Sequence, residues 1–204
     1  FTTALSNLAE ACCLLGRSGE AVEWAQRSLE LAPEDHSTRL LLALALRHLE
    51  RNGEAEKQYR ILLRSGEPET RAKACDGMGL LHLGEPAEAR RWFARAVEEH
   101  PDLVQARLNL AIALIKAKSP EAARPHLERA AAIAPRHGRA HALLLHLHRL
   151  LGLTRQEGKE LARWARLHPR DAQGQLALAE FLLDPALPPE LRDPERALEY
   201  AEGA

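Results

Sequence analysis

Prolines at positions 33, 101, 135 and 169 are separated by 68, 34 and 34 residues. A fixed period of that size confines a chain to a repeat architecture more tightly than any other feature here. Pro68 misses the same grid by one residue. A second marker gives the same period: Gly16-Arg-Ser-Gly-Glu-Ala21 matches Gly84-Glu-Pro-Ala-Glu-Ala89 at an offset of 68, with Asn52-Gly-Glu-Ala55 between them. Apolar residues recur at helical spacing on both sides of this turn, so each unit reads as helix, short turn, helix and proline stop. Leu and Ala dominate the apolar content and aromatics are only 4%, a composition that favours helix throughout. The expectation is an all-α chain of about six helix-turn-helix units, at 2–35, 36–69, 70–103, 104–137, 138–171 and 172–204. The last carries a Pro-rich insertion at 184–194, after which Asp193 is placed to cap a helix starting at Pro194.

In the first unit, Leu5, Leu8, Cys12 and Leu15 share one face of the first helix. Gly16 ends that helix, Ser18-Gly19-Glu20 reverses the chain, and Ala21, Ala25, Ser28 and Leu29 form the buried face of the second helix. Small residues there let helix axes approach closely, and Pro33 stops the helix.

This pattern resembles the tetratricopeptide repeat, a 34-residue motif with small residues at its positions 8, 20 and 27 and proline at 32. With position 1 at Thr2, position 8 reads Ala9, Ala43, Gly77, Ala111, Leu145 and Ala179. Position 20 reads Ala21, Ala55, Ala89, Ala123 and Glu157, and position 27 reads Ser28, Leu62, Ala96, Ala130 and Trp164. The resemblance implies an α-solenoid wound as a right-handed superhelix, of the kind found in bacterial repeat arrays. Departures stand out. Position 4, usually a large aromatic in the family, reads Leu5, Arg39, Lys73, Arg107, His141 and Gln175. In the fifth unit either the turn is one residue longer, bringing Gly158 and Ala165 into register, or the packing differs locally; the longer turn is the expectation. In the fourth unit Ser119 and Pro120 suit the start of the second helix, and Pro125 should bend or delay it.

The formal charge of −1 gives no global field for nucleic acid or anionic lipid, so no nucleic-acid partner is expected. No apolar run approaches the ~18 residues of a membrane span. Cys12, Cys13 and Cys75 fit neither a disulfide framework nor a zinc motif and read as reduced structural thiols. There is no catalytic signature, and Gly77-Met-Gly79 lies within a helix rather than in a phosphate loop. His137, His141 and His148 follow helical spacing, but two of them occupy packing positions of the repeat, so no metal and no cofactor are expected. Arg27, Arg95, Arg129 and Arg163 share position 26 on the outer side and read as a solvated stripe, partly neutralised by Glu23 and Glu98.

In the family, positions 2, 5, 6, 9, 12 and 13 of the first helices line a concave groove that holds ligand segments. Carried over, the resemblance implies a groove formed by Leu40, Leu44, Arg71, Met78, His82, Leu108, Ile112, Arg139 and His146, with Ser6, Glu10 and Cys13 facing it at the first unit. An apolar floor with a basic rim suits a protein or peptide segment with apolar anchors and acidic flanks. The residues of a chaperone carboxylate clamp are matched only in isolation, at Arg71, Asn109 and Arg139. The function expected is therefore a non-enzymatic protein-interaction scaffold. Two other readings stand beside it. A chain that starts at Phe1 without Met suits the repeat arm of a larger enzyme, such as a glycosyltransferase, and a final helix pair uncovered at Ala204 suits self-assembly into a larger structure. The compartment is left open.

Overall fold

A computed structural model describes residues 2–202. Among the described residues there are twelve α-helices, one short 3₁₀ turn and no strand. The helices are α1 (Thr2–Leu14), α2 (Ser18–Leu31), α3 (His36–His48), α4 (Asn52–Leu62), α5 (Pro68–Leu81), α6 (Pro86–Glu99), α7 (Val104–Lys116), α8 (Pro120–Ile133), α9 (Gly138–Leu150), α10 (Thr154–Leu167), α11 (Ala172–Leu183) and α12 (Pro194–Glu202). Phe1 and Ala204, to which the readings of a larger enzyme and of an open end were tied, lie outside the described residues.

The period is written into the helix boundaries. α2, α4, α6, α8 and α10 begin at Ser18, Asn52, Pro86, Pro120 and Thr154, each 34 residues after the last. Pro33, Pro101, Pro135 and Pro169 stand two residues beyond the ends of α2, α6, α8 and α10. Pro68 leaves the grid for a physical reason: it opens α5, where its missing N–H costs nothing, instead of following α4.

Four of the turns within the helix pairs are built alike. Gly16, Glu50, Lys118 and Gly152 have φ of 72°, 58°, 57° and 65°. At each, the following amide donates to the carbonyl five residues back: Arg17 to Cys12 at 2.8 Å, Arg51 to Leu46 at 2.9 Å, Ser119 to Leu114 at 3.0 Å and Leu153 to His148 at 2.8 Å. This closure satisfies carbonyls that the helix end leaves unpaired.

The chain divides into two compact units, Phe1–Ala113 and Leu114–Ala204. In the first, α1 packs on α2, α3 on α4 and α5 on α6, while α2 meets α3, α4 meets α5, and the first helices stack as α1 on α3 and α3 on α5. In the second, α8, α9, α10, α11 and α12 pack each on the next. The small residues lie where helices cross: Ala9, Ala43, Ala111, Ala21, Ala55, Ala123, Ser28, Ala96 and Ala130 are all buried. Between them runs a position that sequence reading missed beyond Ala25, occupied by Tyr59, Phe93, Leu127 and Leu161, all buried. These larger side chains fill the space that the alanines leave.

The polar residues at position 4 also have a reason. Arg39 donates to the Pro33 carbonyl, Arg107 to the Pro101 carbonyl, and His141 Nε2 to the Pro135 carbonyl at 2.7 Å. Gln175 donates to the Ala165 carbonyl at 3.0 Å. A donor here closes a carbonyl at or just beyond the end of the preceding helix, which an aromatic could not do; Lys73 instead pairs with Glu69.

Several expectations are corrected. The buried face of α1 is Leu5, Ala9 and Cys12; Leu8 and Leu15 point outward. The turn before α10 is Leu151 to Leu153, the same length as Leu15 to Arg17, so no extra residue is present in the fifth unit. Packing adapts instead: Glu157 and Trp164 are only half-buried, and burial shifts to Glu160 and Ala165 beside Leu161. Pro125 does not delay α8, which starts at Pro120 and continues past it. Asp193 caps α12 through its carboxylate, accepting from the Arg196 amide at 3.0 Å.

Candidate partner-binding surface

Local chemistry decides which of the expected groove residues are available. α5 is the most deeply packed of the helices in the first unit, with Ala74 through Gly79 buried without a break. The cause is its two glycines. A Cβ on Gly77 would lie 2.3 Å from the Tyr59 ring, and one on Gly79 would lie 2.5 Å from the Phe93 ring. Two aromatic rings thus close over α5, and Met78 between the glycines is buried with them. Met78 is therefore a core side chain, not a groove contact. Leu108 is likewise fully buried, within the run Leu108 to Ala111 of α7.

Arg71 and His82 are partly engaged. Arg71 Nε donates to Glu99 Oε2 at 2.8 Å, and its Nη1 donates to the Ser65 carbonyl at 2.9 Å. His82 Nδ1 lies 3.6 Å from Glu85 Oε1. Leu40, Leu44 and Ile112 are half-buried, and Leu40 packs on the same apolar cluster as Met78. Leu44 and Ile112 share repeat position 9 and present apolar surface in the first unit. Arg139 and His146 belong to the second unit and are exposed.

Ser6 is a packing group. Its hydroxyl lies 3.0 Å from the Ser28 hydroxyl and 2.6 Å from that of Thr38. Asp35 completes this cluster and caps α3, accepting from the Ser37 amide at 3.0 Å and the Thr38 amide at 3.2 Å. Burial opposes ionisation of Asp35, but the hydrogen bonds from Thr38, Ser37 and Ser6 together hold its carboxyl below the ordinary value. Asn109, one of the isolated clamp matches, is also occupied: it is buried and donates to Asp76 Oδ1 at 2.8 Å while accepting from Gln105 at 2.9 Å.

Of His137, His141 and His148, the first two are engaged through their rings, and His148 is buried with its Nδ1 unbonded. His137 caps α9, accepting from the Ala140 amide at 3.3 Å. His141 is buried between Glu160 and the Pro135 carbonyl. His148 is buried, and that burial lowers its pKa. Among the described residues no group of three His, Cys, Asp or Glu side chains is placed to hold a metal ion, and no helix is long and apolar enough to cross a membrane. The thiols are free; burial pushes Cys75 up to about 11, far from a nucleophile's range.

The outer arginines differ from one another. Arg27 lies over Trp24 at 5.1 Å and Arg95 over Trp92 at 5.6 Å, cation–π contacts that the sequence reading did not include. Arg95 pairs with Glu99 at 3.8 Å rather than with Glu98. Arg163 is half-buried and donates to the Ala131 carbonyl at 3.2 Å.

Two tetratricopeptide repeat family models match the chain, over residues 2–27 and 80–147. A comparison with curated protein sequences finds no match. Solved structures share the fold. PilF of Pseudomonas aeruginosa aligns with a TM-score of 0.71 at 16% identity, covering 98% of this chain and 88% of its own. A thermophilic TPR protein of Thermus thermophilus aligns with a TM-score of 0.64 at 17% identity, covering 90% of this chain and 100% of its own. YrrB, a TPR protein with an unusual peptide-binding site, aligns with a TM-score of 0.61 at 20% identity, covering 90% of this chain and 91% of its own. With the 34-residue helix register and the small crossing residues in agreement, the chain carries tetratricopeptide repeats, matched over residues 2–27 and 80–147, and has the fold of the solved TPR proteins.

Proposed function

We propose that this chain is a non-enzymatic scaffold that holds a protein or peptide segment against the first helices of its repeats. Proteins of this repeat family generally serve as protein-interaction scaffolds. The observation that carries the finer reading is the half-exposed apolar surface at repeat position 9, where Leu44 and Ile112 remain open although their counterpart Met78 is buried. Leu40 widens this surface. His82 belongs to the same unit as this surface, and Arg139 and His146 are exposed on the first helix of a repeat in the second unit. Arg71, tied to Glu99 and Ser65, contributes only if a ligand carboxylate displaces Glu99. The test is the double variant L44E/I112E: binding is lost while helicity is kept, because neither side chain is fully buried. Retained binding rejects these positions.

One observation favours a second reading, self-association. Leu8 is 44% exposed, whereas Leu42, Leu110, Leu144 and Leu178 at the same repeat position are buried, and Leu14 and Leu15 beside it are 83% and 70% exposed. A second copy of the chain would cover such a surface. Light scattering over a concentration series should then show mass rising with concentration and L8E/L15E abolishing the rise; a constant monomer mass rejects it.

A further inference from the structure

The second unit holds a cleft that the groove reading does not use. It is about 660 Å³ and lies between α10, α11 and α12. Lys159, Arg163, Arg166 and Arg196 line it, and no carboxylate does. Its remaining walls are Ala162, Ala165, Pro169, Gln175 and Tyr200. Among the described residues, none of the four cations forms an ion pair; Arg163 is turned to the Ala131 carbonyl, and Arg196 donates to the Tyr200 hydroxyl at 3.3 Å. Elsewhere on the surface several arginines, Arg17, Arg51, Arg60 and Arg124 among them, pair with a glutamate three or four residues away.

We propose that this cleft is a docking site for an acidic protein segment carrying one apolar side chain. Charge complementarity selects the sign: four unneutralised cations around one concavity attract a polyanion and repel a basic one. Their spacing selects the kind of anion. Lys159, Arg163 and Arg166 run along one face of α10 over about 10 Å, seven residues at the helical rise, which suits a row of carboxylates better than a single small anion. Tyr200, Ala162, Ala165 and Pro169 form an apolar wall for one aliphatic or aromatic side chain. A nucleic-acid strand would need a series of stacking rings, and the cleft has one. The adjoining cleft, past Lys159 and Arg196, adds Arg155 and Arg192 but also Glu190 and Asp193, so the row of cations uninterrupted by carboxylates ends there.

The test is fluorescence anisotropy with a labelled octapeptide of Glu and Asp around a central Phe, at low salt. The wild-type chain binds it, K159E/R166E weakens binding by about tenfold or more, the neutral K159Q/R166Q weakens it less, and added salt weakens it further. Both substituted residues are exposed, and circular dichroism verifies the fold. L44E/I112E binds the octapeptide like wild type, which separates this site from the first-helix surface. The proposal is overturned if no peptide binds, if the Gln/Asn version binds equally well, or if the charge-reversed variant binds unchanged. It is also overturned if L44E/I112E loses binding, if inorganic phosphate displaces the peptide completely, or if an oligodeoxythymidine binds more tightly.

Discussion

His141 occupies a position where the repeat usually carries an aromatic, and its surroundings show what the exchange does. Its Nε2 closes the Pro135 carbonyl and its Nδ1 meets Glu160, a glutamate buried with it. The pair is isolated from water, so each partner depends on the other for solvation. Removing one leaves a buried polar group unsatisfied, whereas replacing both with apolar residues of similar size removes the requirement. His141→Leu and Glu160→Leu should each cost about 3 kcal/mol, and the double variant less than the sum of the two. Urea denaturation of the four proteins checks this, and strictly additive losses would show that the two side chains act independently. The pair is legible only by half in the sequence: the helical spacing of His141 is visible, but its partner lies on another helix 19 residues away, at a position that the motif does not mark.

The helices show which local signals carry far. Alanines at the crossing positions can be read directly, because close approach of two helix axes excludes anything larger. The burial of Met78 cannot, since it depends on two rings from neighbouring helices closing over Gly77 and Gly79, a consequence of tertiary packing. The turns carry another partial signal. Gly16 announces a helix end, but Glu50 and Lys118 adopt the same left-handed conformation without being glycine. A side chain there costs of order 1 kcal/mol. Lys118→Gly should therefore raise stability by up to about 1 kcal/mol, and Gly152→Ala should lower it by a similar amount, both read from thermal melts. Equal melting temperatures would mean that the capping geometry, not the residue, sets the energy of these turns.

Across the whole molecule, the periodic prolines and alanines suffice for the fold because a repeat is stabilised by the same near-neighbour contacts in unit after unit. Binding surfaces are harder to read, since they lie where units depart from the pattern. Leu44 and Ile112 are open while Met78 between them in the repeat series is not, and Arg163 lines a cleft while Arg27 and Arg95 lie on tryptophans. The central claim, that the chain acts by holding a partner on its first helices, is tested most directly by quantitative affinity capture with the wild-type chain and L44E/I112E side by side, each verified as helical. At least one protein should be enriched about tenfold or more on the wild-type chain and lost from the double variant. Identical sets captured by the two would contradict the claim.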